Sequence, residues 1–257
     1  MQARQLPPRT GIAWLQASYL LYRRNPPLLT SVTMLYLLIV IGLNFVPILG
    51  SFIVPLLLPI LNLIVANTCR VIEKRELPSN AGLFFGVREQ RPELLKLGGL
   101  QLAGSVVVLL LSVLLEGGMI PLPNPEKPDL EGFAGMLLRL FIMAVPFLMA
   151  FWFAPLLTGW HKIPAGKAVF FSLVSCWRNW RVFIVYGLAT ALIAIVIPGL
   201  LIVLTMLALP GFAEGLSFVL RLLLIMVFTP MLMASAYISY QDIFQSPTAA
   251  EPEVENA

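Results

Sequence analysis

Four arginines carry the clearest chemical potential in this chain. Arg24, Arg91, Arg178 and Arg181 stand where polar sequence gives way to long apolar runs. A guanidinium held at such a boundary is suited to gripping phosphate oxygens in two-point contacts. Three of them occupy matching settings: Arg24-Asn25-Pro26, Gln90-Arg91-Pro92 and Arg178-Asn179-Trp180. The expected chemistry is capture of lipid headgroups, with simple anchoring at the interface as the alternative. A second set lies in the middle of apolar runs: Pro59 with Asn62, Pro155 with Thr158, and Pro230 beside Thr229. A proline inside a helix deprives the carbonyl four residues earlier of its donor. The orphaned carbonyls here belong to Pro55, Phe151 and Met226, and in hydrocarbon each needs a partner from protein or water. These residues are expected to face into a bundle, as a midplane cavity or hinge or as static kinks.

Other reactive residue types are sparse. The chain has one histidine, His161, and two cysteines, Cys69 and Cys176, all far apart in sequence. No Ser-His-Asp set, phosphate-cradling glycine loop or paired carboxylates stand out, so no catalytic residue, metal or cofactor is expected. Arg139 and Arg221 enter apolar runs near one end, where a long side chain snorkels to the interface; Glu214 lies two turns from Arg221 and is expected to pair with it. No span carries a carboxylate at its centre, which argues against a buried proton relay.

The elements that hold these residues follow from composition. Of the 257 residues, 59% are hydrophobic and 12% charged, and the mean hydropathy is +0.89. Soluble domains are about 25% charged, so lipid must be the solvent here. Six runs are long enough to span, at about 20 residues each: 28–46, 52–69, 94–115, 136–160, 180–209 and 216–240. The fold expected is an all-α polytopic membrane bundle, a single domain over 1–245 with six transmembrane helices as three hairpins. Pro198-Gly199 leaves the fifth run open: one long kinked helix, or a helix that stops at Ile197 and then lies along the membrane face. Residues 246–257, with Glu251, Glu253 and Glu255, are expected to form a disordered acidic tail.

Charge gives the orientation. Arg4, Arg9, Arg23 and Arg24 precede the first run. Arg70, Lys74, Arg75, Arg88, Arg91 and Lys96 lie between the second and third. Lys162, Lys167, Arg178 and Arg181 lie between the fourth and fifth. The remaining gaps hold only Lys127, Arg139 and Arg221. The positive-inside rule therefore puts both termini in the cytoplasm. The outer loop at 121–131 is rich in proline and acid. Before each hairpin lies a short amphipathic stretch, 11–24, 79–89 and 164–178, suited to the interface. In the first, Ile12, Leu15, Tyr19 and Tyr22 recur at helical spacing. The order of interfacial helix, basic corner and hairpin recurs about every 75 residues, a weak internal repeat. Expected partners are anionic membrane lipids and a second copy or another membrane protein; no nucleic-acid partner is expected.

Several short motifs carry a resemblance. Arg24-Asn25-Pro26, Phe151-Trp152-Phe153-Ala154-Pro155, Arg178-Asn179-Trp180 and Tyr237-Ile238-Ser239-Tyr240-Gln241-Asp242-Ile243-Phe244 resemble an uncharacterised family of six-span bacterial inner-membrane proteins, chiefly β-proteobacterial. More distantly, the chain is similar to the YciC-like proteins and to the membrane domain attached to some glycerophosphodiester phosphodiesterases. The resemblance covers residues 10–245 and implies a multi-pass inner-membrane fold. It brings no catalytic residues. The function expected is non-enzymatic: handling of lipid or another amphiphile at the cytoplasmic leaflet, or support of a membrane complex. The alternative is a small-solute transporter or channel with a midplane path.

Overall fold

A computed structural model of the chain describes residues 4–115 and 130–244. The acidic tail and most of the outer loop lie outside these residues. Every described element is helical. In chain order they are α1 (Thr10–Arg24), α2 (Pro26–Asn44), α3 (Leu49–Glu73), α4 (Asn80–Leu83), α5 (Arg91–Leu115), α6 (Leu130–Trp152), α7 (Ala154–His161), α8 (Ala165–Arg178), α9 (Trp180–Ala191), α10 (Ile197–Ala208), α11 (Pro210–Leu223) and α12 (Thr229–Phe244). Six stretches are long and apolar enough to cross a membrane, among them Pro26–Asn44, Leu49–Glu73 and Arg91–Leu115. The outward faces of these helices are leucine, isoleucine and phenylalanine; Leu38, Leu114 and Phe141 are each more than half exposed. That surface is compatible with lipid and not with water.

Prolines set the breaks. A five-residue π-helical turn, Leu192–Val196, joins α9 to α10 and ends two residues before Pro198. A second, Leu224–Phe228, joins α11 to α12 and ends two residues before Pro230. Widening the turn just before a proline gives room for its ring and shifts the hydrogen-bond ladder past the missing donor. The fifth run is therefore one continuous helix of 29 residues, Trp180–Ala208, and does not stop at Ile197. The fourth run handles its proline differently. It breaks at Phe153, and Pro155 sits in the first turn of α7, where a missing N–H costs nothing.

The described residues form two compact units. The first comprises the described residues within 1–41, 62–85 and 177–257; in it α1 packs against α9 and α12. Gly11 makes that approach possible: a Cβ there would lie 2.5 Å from the Val182 carbonyl oxygen and 2.7 Å from the Tyr186 nitrogen. The buried face of α1 is Gly11, Trp14, Leu15, Ser18 and Leu21. Of the residues at helical spacing, Leu15 is buried while Ile12 and Tyr19 are exposed. A helix lying between protein and lipid has apolar residues on both sides, and the small residues Gly11 and Ser18 decide which side packs.

The second unit comprises the described residues within 42–61 and 86–176, with α5 packed on α6 and α7. Gly98 allows α5 to touch the backbone of Leu56, where a Cβ would come within 2.6 Å of its Cα. That matches the role of small residues between membrane helices. On α8 the buried face is Ala165, Ala168, Ser172, Ser175 and Cys176. Phe170, Phe171, Val174 and Trp177 are exposed on the same helix. A helix that buries its small residues and exposes its aromatic ones belongs in an apolar or interfacial medium.

Candidate functional site

The candidate site is the corner where α1 passes into α2, facing the end of α3. The corner is closed by local chemistry. Pro26 and Pro27 have no N–H to leave unsatisfied. Asn25 Oδ1 accepts the Leu28 N–H at 3.2 Å, and the Asn25 carbonyl accepts the Leu29 N–H at 3.3 Å. The first turn of α2 therefore has its backbone donors occupied.

The end of α3 is a Schellman turn. Arg75 N–H donates to the Ile72 carbonyl at 3.2 Å, and Glu76 N–H to the Val71 carbonyl at 3.1 Å. The left-handed position of this turn, usually glycine, is taken by Arg75 at φ 55°. A side chain there costs about 1 kcal/mol or more, so an arginine at this position invites a reason beyond chain reversal. Arg24 links the two ends, with Nη1 donating to the Glu73 carbonyl at 3.3 Å. Between them lies an open pocket of about 350 Å³, lined by Arg24, Asn25, Leu28, Ile72, Arg75 and Glu76. It presents two guanidiniums and one carboxylate beside an apolar wall of Leu28 and Ile72. Two planar cations beside a greasy wall can hold a phosphate that carries an acyl-bearing group.

Beneath the pocket a polar clamp fixes α3 to α12. The Tyr237 hydroxyl donates to Glu73 Oε2. Gln241 Nε2 donates to the same oxygen at 2.6 Å, and to the Tyr237 hydroxyl, also at 2.6 Å. Tyr237 and Gln241 are one helical turn apart on α12, so both face Glu73. The neighbouring Asp242 accepts the Trp14 Nε1–H at 2.8 Å, tying α1 to the same helix. Asn67, fully buried in α3, donates from Nδ2 to the carbonyls of Leu83 and Phe85, each at 2.9 Å. The Arg70 guanidinium lies 4.1 Å over the Phe85 ring. The Tyr237–Phe244 motif is thus a set of joints. Arg75 was legible only as one more basic residue; its left-handed backbone has no sequence signature.

The other arginines do not enter the pocket. Arg178 and Arg181 are exposed, and Arg181 stacks 5.4 Å from the centroid of Trp180. Arg91 is exposed at the start of α5. The matching asparagines also part ways. Asn25 caps α2, whereas Asn179 grips the N-terminal segment: its Oδ1 accepts the Leu6 N–H at 2.9 Å and its Nδ2 donates to the Arg4 carbonyl at 3.0 Å.

Near Pro230 and Pro155, side chains satisfy the local backbone. The Met226 carbonyl, freed by Pro230, accepts from the Thr30 hydroxyl at 3.3 Å and the Tyr22 hydroxyl at 3.5 Å. Thr229 Oγ1 donates to the Leu224 carbonyl at 2.9 Å, inside the wide turn. At the break before Pro155, Ser172 Oγ accepts the Phe153 N–H at 2.9 Å and donates to the Met149 carbonyl at 2.7 Å. Pro59, Pro155 and Pro230 are buried and Asn62 is half-buried. Thr158 is fully buried, and its hydroxyl has no hydrogen-bond partner among the described residues.

Glu214 and Arg221 line a separate pocket of about 270 Å³ with Ile202, Met206 and Phe218. Cys69 and Cys176 are free thiols, each fully buried. Burial pushes the Cys176 thiol well above its usual range, only partly offset by its hydrogen bond with Ser172.

The chain is similar to a probable inner membrane protein of Burkholderia thailandensis: 32% identity over 272 residues, covering all of this chain and 98% of that protein. No family model matches the chain, and no solved structure matches it.

Proposed function

The chain belongs to the family of that probable inner membrane protein, and on that premise we propose that it is a non-enzymatic protein that holds lipid at the cytoplasmic leaflet. In this reading both termini are cytoplasmic, so the α1–α2 corner lies at the inner headgroup level. The observation that carries it is the pocket of Arg24 and Arg75, built at the cost of a left-handed arginine. The exposed Arg91, Arg178 and Arg181 add attraction to anionic lipid, on the order of 1 kcal/mol each near a charged leaflet. The distant kinship with YciC-like proteins belongs to the same proposal and rests on the short motifs. Changing Arg24 to Gln together with Arg75 to Gly is the test. Glycine suits the left-handed backbone, so the turn survives. Lipid retained by the purified protein, counted by native mass spectrometry, should fall several-fold. Retention equal to that of the parent protein would sink the reading.

The alternative is a small-solute path through the membrane middle. Its support is the pair of wide turns before Pro198 and Pro230, a feature common where helices flex. Water access at Asn62 and Thr229 separates the two readings.

A further inference from the structure

We propose that the α1–α3 pocket selects a phosphodiester that also carries a primary ammonium, the headgroup chemistry of phosphatidylethanolamine. The inference rests on the lipid-holding reading and adds the class of headgroup. Three features carry it. The anion side is made by side chains alone. The start of α2 offers no spare backbone donor, because Pro26 and Pro27 lack N–H groups and the next two donate to Asn25. Arg24 and Arg75 are then the phosphate donors in the lining. Arg24 gives one N–H to the Glu73 carbonyl and keeps the rest of its five-donor fork.

The same pocket has a cation side. Glu76 lines it, three residues past the end of α3, in the Schellman turn at the negative end of the helix dipole. A headgroup that ends in a neutral glycerol offers Glu76 no cation to pair with. Lys74 Nζ lies 3.9 Å from Glu76 Oε1, with both side chains more than half exposed. Such a surface pair is weak, and an arriving ammonium can share or replace it. The third feature is the wall of half-buried Leu28 and buried Ile72, which suits the glycerol and first methylenes of a lipid. A quaternary amine has no N–H to offer Glu76, so phosphatidylcholine should fit poorly.

The experiment uses the full chain, purified and delipidated, then offered an equimolar mixture of phosphatidylethanolamine, phosphatidylglycerol and phosphatidylcholine. Native mass spectrometry reads which lipid stays bound. The parent protein should retain phosphatidylethanolamine at least about three-fold over each of the others. Glu76→Gln should lower bound phosphatidylethanolamine and bring it to parity with phosphatidylglycerol. A parent protein preferring phosphatidylglycerol, or a Glu76→Gln variant with the parent's preference, overturns the inference and leaves lipid holding standing. The Arg24→Gln, Arg75→Gly variant should lose all three lipids together; if it loses none, the underlying reading fails instead. Water-soluble glycerophosphoethanolamine, added in excess, identifies the source. Persistence of the bound lipid assigns the site to the membrane headgroup, as proposed. Its displacement by the soluble diester keeps the ammonium-phosphate chemistry and overturns the lipid as its carrier.

Discussion

At the scale of single residues, stability at the basic end depends on side-chain donors that join separate helices. Trp14 is 1% exposed, and its ring N–H reaches Asp242. It also meets Phe183 edge-on at a centroid distance of 5.3 Å. Trp14→Phe keeps most of the ring and removes the donor, so the loss should be that of a hydrogen bond to a charged group, about 1.5–3 kcal/mol. Tyr237→Phe removes one of the two donors that Glu73 Oε2 receives, and Gln241 remains to hold the carboxylate. Its cost should be smaller, about 1 kcal/mol. Thermal unfolding in detergent checks the order: both variants should melt below the parent protein, Trp14→Phe the lower. Equal melting temperatures for all three would show that these joints contribute nothing.

At the scale of elements, the sequence reading and the structure meet and part for definite reasons. Helix number, length and class follow from apolar runs, because a bilayer sets one length for all spans. The need at Met226 also follows, since proline chemistry is local; its partners, Thr30 and Tyr22, are distant in sequence and could not be read from it. Which side of α1 packs on protein is not legible in the sequence, because apolar spacing marks both lipid and protein contacts. The Glu73 clamp was missed because its halves lie more than 160 residues apart. Pro155 reads from the sequence as a hinge or a static kink; the break at Phe153, and Ser172 of α8 filling it, do not follow from local sequence. That bridge yields a prediction. Ser172→Ala leaves a buried N–H on Phe153 and the Met149 carbonyl without their shared partner. An unsatisfied buried group costs about 1–3 kcal/mol. The loss should appear as a lower melting temperature, and restoring a hydroxyl with Ser172→Thr should recover part of it. Ser175→Ala serves as the control, since Ser175 Oγ donates to the carbonyl of Phe171 in its own helix. If the two alanine variants melt alike, the bridge has no special weight.

At the scale of the whole molecule, the charge asymmetry implies an orientation that thiol chemistry can read. The native cysteines should not interfere. Cys69 and Cys176 are both fully buried, and the Cys176 thiol is held protonated by burial. A raised pKa leaves the neutral, unreactive form dominant through pH 7 and on to pH 9. The parent protein in intact cells should therefore take up no membrane-impermeant maleimide, and raising the pH from 7 to 9 should not change that. Against this silent background, Asn124→Cys in the outer loop should label readily. A cysteine at Ser246, beyond α12, should label only after the inner membrane is opened. Labelling at Ser246 in intact cells would invert the orientation and move the Arg24–Arg75 pocket to the opposite leaflet. The same reagent tests the membrane middle. Asn62→Cys and Thr229→Cys should stay unlabelled in opened membranes if the helices close around satisfied backbone carbonyls. Reaction at both positions would mean water reaches the bundle centre, and would favour a solute path over a surface that holds lipid.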